Sequence, residues 1–173
     1  MRAAYNRPRA TPPGLLALAR QLATRSRRAV DRAGEERMLE QNKHIARQFI
    51  AAFAAADTRT LDRIVAEHMV DHTPAQGAKQ GRRGVVEAAE MFRAAFPDLK
   101  VTIESLVADE ERVSVTGKIT GTNRGTLMGA PPTGKSASFA YMDMYAIANG
   151  QIAEVWHVED LAAMMRQLGM LPS

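Results

Sequence analysis

The chain is 173 residues long, 46% hydrophobic and 24% charged, which allows one folded domain with its own core plus an appendage. It has no cysteine, so disulfides and cysteine-ligated metal are excluded, and no apolar run approaches the roughly 20 residues of a bilayer-spanning helix. The net charge of +4 is unevenly spread: residues 1–37 carry nine arginines against Asp31, Glu35 and Glu36, and the remainder is slightly acidic. The basic character belongs to a tail, and the domain shows no patch expected of a nucleic-acid binder.

Residues 1–13, with Pro8, Pro12 and Pro13, read as disordered. Leu15, Leu16, Leu18, Ala19, Leu22 and Ala23 then recur at near-helical spacing among arginines, which makes a short basic amphipathic helix. The extension 1–37 suits a mobile or partner-docking arm, a transit peptide, or a contact with a membrane surface or nucleic acid. A secretory signal needs a longer unbroken apolar core, so a cytoplasmic location is expected.

The folded domain is expected over residues 38–173. Met38, Ile45, Phe49, Ile50 and Phe53 share one helical stripe through about Ala56. Asp57 is an N-cap for a second helix with Leu61, Ile64, Val65 and His68 on one side, followed by a loop from Asp71 to Arg82. A third helix runs from about Arg83 to Phe96 and ends at Pro97-Asp98. Alternation then predicts strands around residues 99–105, 113–122, 139–147 and 152–158, the last two a hairpin about Asn149-Gly150. A last helix ends at Gly169. Helices followed by antiparallel strands give an α+β fold: a cone-shaped α+β barrel, its curved antiparallel sheet wrapped by three N-terminal helices. The open end of such a cone is a typical place for a small ligand.

Several segments in this order carry a resemblance: His72-Thr-Pro, Ala95-Phe-Pro-Asp-Leu, Gly121-Thr-Asn-Arg-Gly, Gly129-Ala-Pro-Pro-Thr-Gly-Lys, Asn149-Gly-Gln-Ile-Ala-Glu-Val-Trp and Gln167-Leu-Gly-Met-Leu. Together, from about Asn42 to Leu171, they resemble the SnoaL-like polyketide cyclase family. Its superfamily also holds nuclear transport factor 2, ketosteroid isomerase and scytalone dehydratase. The resemblance implies ring closure by intramolecular aldol condensation without metal or cofactor. It also implies an aspartate acid/base directly after the hairpin tryptophan, and an assisting histidine on the preceding strand. By motif the aspartate position falls on His157 and the histidine position on Asp143, so the two residue types are exchanged. The family's Gly-Thr-His likewise reads Gly121-Thr122-Asn123 here.

Two acid/base assignments follow from the residues. His157 is a base oriented by the Asp143 carboxylate, or Asp143 is itself the base, its pKa raised by burial among Phe139, Tyr141 and Tyr145. Either needs both side chains on one face. A strict two-residue turn puts residue 143 opposite 156 and separates them; a bulge at Gly150 reunites them. His72 is expected to position substrate, and Tyr141, Tyr145, Trp156 and Phe92 to supply pocket walls. Asn123 either donates to a substrate oxygen or caps the turn before Gly125. No metal is expected, because His68 and His72 do not share a helical face, and no cofactor is expected by resemblance.

The expected function is therefore a cofactor-independent cyclase or related isomerase acting on a polyketide-like hydrophobic small molecule. Epoxide hydrolysis or epoxide-opening ring closure by the same pair is the alternative chemistry. A non-catalytic ligand-binding or dimerisation module is the alternative class. By resemblance, the exposed sheet face makes a homodimer.

Overall fold

The computed structural model describes residues 13–75 and 77–171, with side chains at 21, 22 and from 24 onward. The chain divides into two compact units, residues 1–38 and 39–173. Helix α1 (Pro13–Ala55) supplies the described part of the first unit and opens the second. The expected short basic helix and the expected first helix of the domain are thus one continuous helix. Gly34 is the sole glycine between Leu15 and Ala55, and one glycine costs a helix only about 1 kcal/mol. The reading of residues 1–12 as disordered lies outside the described residues.

Within the second unit, Ile45, Ala46, Phe49, Ile50 and Ala52 of α1 are buried. Asp57 caps α2 (Thr58–Ile64), its carboxylate accepting from the Thr60 N–H at 3.1 Å. The chain then leaves the helix. Residues 65–68 were expected to continue it, but Val65–Asp71 is a strand, β1. Leu61, Ile64, Val65 and His68 have helical spacing, yet a short apolar run fits either element. The decision falls to a distant partner that supplies the backbone hydrogen bonds.

Helix α3 (Gly81–Ala95) follows, then β2 (Lys100–Ala108), β3 (Arg112–Thr122), β4 (Ser136–Ala148), β5 (Gln151–Glu159) and α4 (Leu161–Leu168). The sheet order is β1-β5-β4-β3-β2. β2 to β5 pair antiparallel as expected, whereas β1 runs parallel to β5, so the sheet is mixed. The architecture is α+β. Asp160 caps α4 by accepting from the Ala163 N–H, and Gly169 ends it in the left-handed region at φ 75°. No helix among the described residues is long and apolar enough to cross a membrane.

The helices bury their stripes on one face of the sheet. Phe49, Leu61 and Ala89 meet Val113, Val115, Tyr145 and Val155 there, each large side chain contributing about 1.5–3 kcal/mol on burial. A second cluster around Phe96, Leu127, Phe139, Met164 and Leu168 involves α4 and the β3–β4 connection.

Two local devices position the site. At the β4–β5 turn, Asn149 (φ 52°) and Gly150 (φ 73°) form a two-residue loop between paired Ala148 and Gln151. Ile147 pairs with Ile152, but Ala146 pairs with Glu154, which leaves Ala153 as one extra residue in β5. The bulge therefore lies at Ala153 rather than at Gly150. Gly117 in β3 is the second device. A Cβ there would lie 1.9 Å from the Thr102 carbonyl oxygen and 2.7 Å from Tyr141 Cε1, so the bare backbone makes room for the tyrosine ring. Gly117→Ala is expected to cost about 2 kcal/mol or more, read as a lowered urea midpoint; an unchanged midpoint would show that the ring and strand can move aside.

Candidate active site

Because of the Ala153 bulge, cross-strand rows line up on the helix-covered face of the sheet. Val113, Tyr145, Val155 and Asp71 make one row, and Val115, Asp143 and His157 make the next. Gly117, Tyr141 and Glu159 make a third. Successive residues of a strand alternate faces, so every titratable side chain in these rows projects to the same side. Asp143 and His157 are directly paired across β4 and β5.

The pair is not one hydrogen-bonded unit. His157 Nε2 lies 3.2 Å from Asp71 Oδ2, and its Nδ1 lies 3.0 Å from Glu159 Oε1. Its backbone N–H donates to the Thr73 hydroxyl at 2.8 Å. The imidazole is thus held by Asp71 and Glu159 and not by Asp143. Glu159, hydrogen-bonded to the ring, and the nearby charge of Asp71 together outweigh partial burial and push His157 up to about 9. At neutral pH it is an imidazolium, with both ring nitrogens donating.

Asp143 sits in the middle row. Burial pushes its carboxyl up to about 6; the Tyr145 hydroxyl and the His157 charge oppose that rise, and Glu159 adds to it. Tyr145, fully buried against Phe49, donates to Asp143 Oδ2 at 2.5 Å. The other oxygen, Oδ1, is buried and has no hydrogen-bond partner in the protein. A weakly basic carboxylate thus stands beside a fixed cation. The arrangement can take a proton from carbon and stabilise the charge that follows.

The remaining expected site residues are placed differently. Trp156 pairs with Met144 and projects to the opposite face of the sheet from Asp143. His72 stacks on it, ring centroids 4.1 Å apart and 2° from parallel, and its Nε2 lies 2.7 Å from Glu154 Oε2. The Arg112 guanidinium lies 5.5 Å from the Trp156 ring. His72 and Trp156 therefore form a cluster apart from the Asp143 row. Asn123 is fully buried in the β3–β4 connection: its amide nitrogen donates to Gly125 O at 2.8 Å, and its oxygen accepts from the Thr133 N–H at 2.8 Å. Its polar atoms serve the turn. Phe92 is half-buried on α3, its ring 6.1 Å from Phe53, which in turn lies 6.1 Å from Phe49.

Asp71 and Glu159 were missed by sequence reasoning. Glu159 had a signal, since it stands two residues beyond His157 on the same strand. Asp71 had none, because only the parallel β1–β5 pairing brings it to the imidazole. The two carboxylates take different nitrogens of one ring, and among the described residues no group of three or more His, Cys, Asp or Glu is arranged to hold a metal ion.

The raised carboxyl has a thermodynamic sign. Folding favours protonated Asp143, so the stability it costs is absent below about pH 4, grows through about pH 6 and stays constant above. Asp143→Asn is expected to be about 2 kcal/mol more stable than the parent at pH 8 and to lose that advantage at pH 4, by urea unfolding. A variant less stable at pH 8 would mark the carboxylate as structural.

The model of the family described as SnoaL-like polyketide cyclase matches residues 43–168. Among solved structures, TsrD from Streptomyces laurentii is 26% identical, with a TM-score of 0.70 over 76% of this chain and 97% of its own. A candidate polyketide cyclase from Bacillus cereus is 29% identical, with a TM-score of 0.68 over 76% and 83%. IdmH from Streptomyces antibioticus is 27% identical, with a TM-score of 0.67 over 75% and 99%. No match is found among curated proteins. Through residues 43–168 the chain belongs to the SnoaL-like polyketide cyclase family.

Proposed function

We propose that the protein is a cofactor-independent cyclase or related isomerase acting on a polyketide-like hydrophobic small molecule, with Asp143 as the base. One observation carries the assignment: Asp143 has a buried, unpartnered oxygen and a carboxyl near 6, while His157 is doubly hydrogen-bonded to carboxylates and protonated. A base must be deprotonated at working pH, and only the aspartate is. Family membership supports a cyclase- or isomerase-type role.

In this reading Asp143 Oδ1 removes a proton from a carbon acidified by neighbouring carbonyl groups. The C–H electron pair becomes the enolate, and the enolate carbon attacks a second carbonyl of the same molecule. Asp143, now a carboxylic acid, returns the proton to the alkoxide, so the reaction is proton-neutral and needs no co-reactant. His157 supplies fixed positive charge near the carboxylate and lowers the energy of the charged states. Asp71 and Glu159 position it. Phe53, Phe92 and Val86 are half-buried apolar surface near the rows and suit a hydrophobic skeleton.

Residues 38–173 form the catalytic domain in this reading, and residues 1–37 are an appended basic arm. The sheet's other face supports a homodimer. Val107, Ser114, Met144 and Trp156 form one row there and Thr116, Met142 and Val158 another, with Met142 60% and Val158 66% exposed.

Two measurements test this. For turnover of the cognate substrate, kcat/KM should rise through about pH 6 as Asp143 ionises and fall through about pH 9 as His157 loses its proton. Asp143→Asn should lose about 100-fold or more, and His157→Ala should lose the alkaline limb. A profile that rises through 9 would instead make His157 the base. Light scattering should give twice 18.9 kDa, and Met142→Glu with Val158→Lys should give the monomer; a monomeric parent would refute the dimer.

A further inference from the structure

Among the described residues, two buried side-chain polar atoms have no hydrogen-bond partner in the protein: Asp143 Oδ1 and the Tyr141 hydroxyl. They belong to side chains two apart on β4, on the same face and in adjacent cross-strand rows. Buried polar groups left without a partner are uncommon and costly, so two of opposite character side by side need a reason. Asp143 offers an acceptor, and Tyr141 offers a donor. Tyr145, one row away, shows what the chain does with a tyrosine whose role is internal: its hydroxyl is spent on Asp143 Oδ2.

We propose that the Tyr141 hydroxyl is a catalytic hydrogen-bond donor that receives the negative charge on the substrate oxygen while Asp143 Oδ1 takes the proton from the adjacent carbon. This rests on the acid/base reading of the site and adds to it the group that meets the developing oxyanion. The electron pair released from the C–H bond ends on that oxygen. A neutral donor there stabilises the enolate without taking the proton, which stays on Asp143 until it is returned.

Three features support the assignment. Tyr141 is 5% exposed, so a bond to its hydroxyl is shielded from water and correspondingly strong. Its ring lies against Gly117, where any Cβ would strike it, so the hydroxyl is held by backbone contact rather than by a polar partner. Its surroundings keep it a donor: burial, the Asp143 charge and the Glu104 charge push its hydroxyl up to about 12.

The test uses Tyr141→Phe in the full chain with 2-acetylcyclohexanone, a hydrophobic 1,3-diketone, as probe. Exchange of its acidic hydrogen for deuterium is followed by NMR with catalytic amounts of protein. The parent is expected to accelerate exchange, and Tyr141→Phe to slow it about 100-fold with the acid limb near pH 6 unmoved. Because the lost hydroxyl has no protein partner, the variant should fold with an unchanged or higher urea midpoint. A lowered midpoint would overturn the proposal by giving the hydroxyl a structural role. Exchange lost in Asp143→Asn but unchanged in Tyr141→Phe overturns the donor and leaves the base standing. A parent that does not exceed buffer overturns both.

Discussion

One extra residue in β5 decides which side chains meet on the helix-covered face of the sheet. Side chains alternate along a strand with a period of two, so an odd insertion exchanges which residues face the core. With Ala153 bulged, Asp143 pairs with His157, and Tyr141 with Glu159, on the helix-covered face. Without it, strict pairing from Asn149-Gly150 would set Asp143 opposite Trp156. The same insertion sends Trp156 outward to stack on His72. Site, core and outer face all inherit their composition from this one register.

Environment also sets the charge states of two neighbouring titratable groups differently. Asp143 and His157 are neighbours, yet their surroundings move both pKa values upward for different reasons. Asp143 loses solvation, which penalises its charge. His157 keeps partial access to solvent and gains two carboxylates, which favour its charge. The resulting order, carboxyl near 6 and imidazole near 9, makes a base and a cation stable together at neutral pH. The exchange of residue types relative to the family motif is therefore coherent. In the proposed reading the carboxylate on β4 is the base, and a clamped imidazolium on β5 occupies the other position.

The hydrogen-bond inventory separates roles that residue type alone confuses. Asn123 and His72 carry the polar chemistry expected of a binding site, but their contacts serve other ends. Asn123 holds the β3–β4 connection through Gly125 and Thr133, and His72 lies between Trp156 and Glu154 on the far face. Tyr141 and Asp143 are the reverse: buried side chains with a polar atom left over.

The sequence by itself determined the helix stripes, the caps at Asp57 and Gly169, the antiparallel strands and the Asn149-Gly150 hairpin. All of these rest on local periodicity and turn chemistry, which a few adjacent residues encode. It also brought Asp143, His157, Tyr141 and Tyr145 forward as a group, because they lie on the two strands of one hairpin. Tertiary structure decided the rest. Val65–Asp71 is a strand because β5, some eighty residues onward, supplies its backbone partner, against a spacing that suits a helix equally well. That pairing delivers Asp71 to His157, and the position of a bulge within β5, rather than at the turn, delivers Asp143. Neither is written in any short window, since long-range pairing and strand parity depend on which backbone groups find each other in the folded chain.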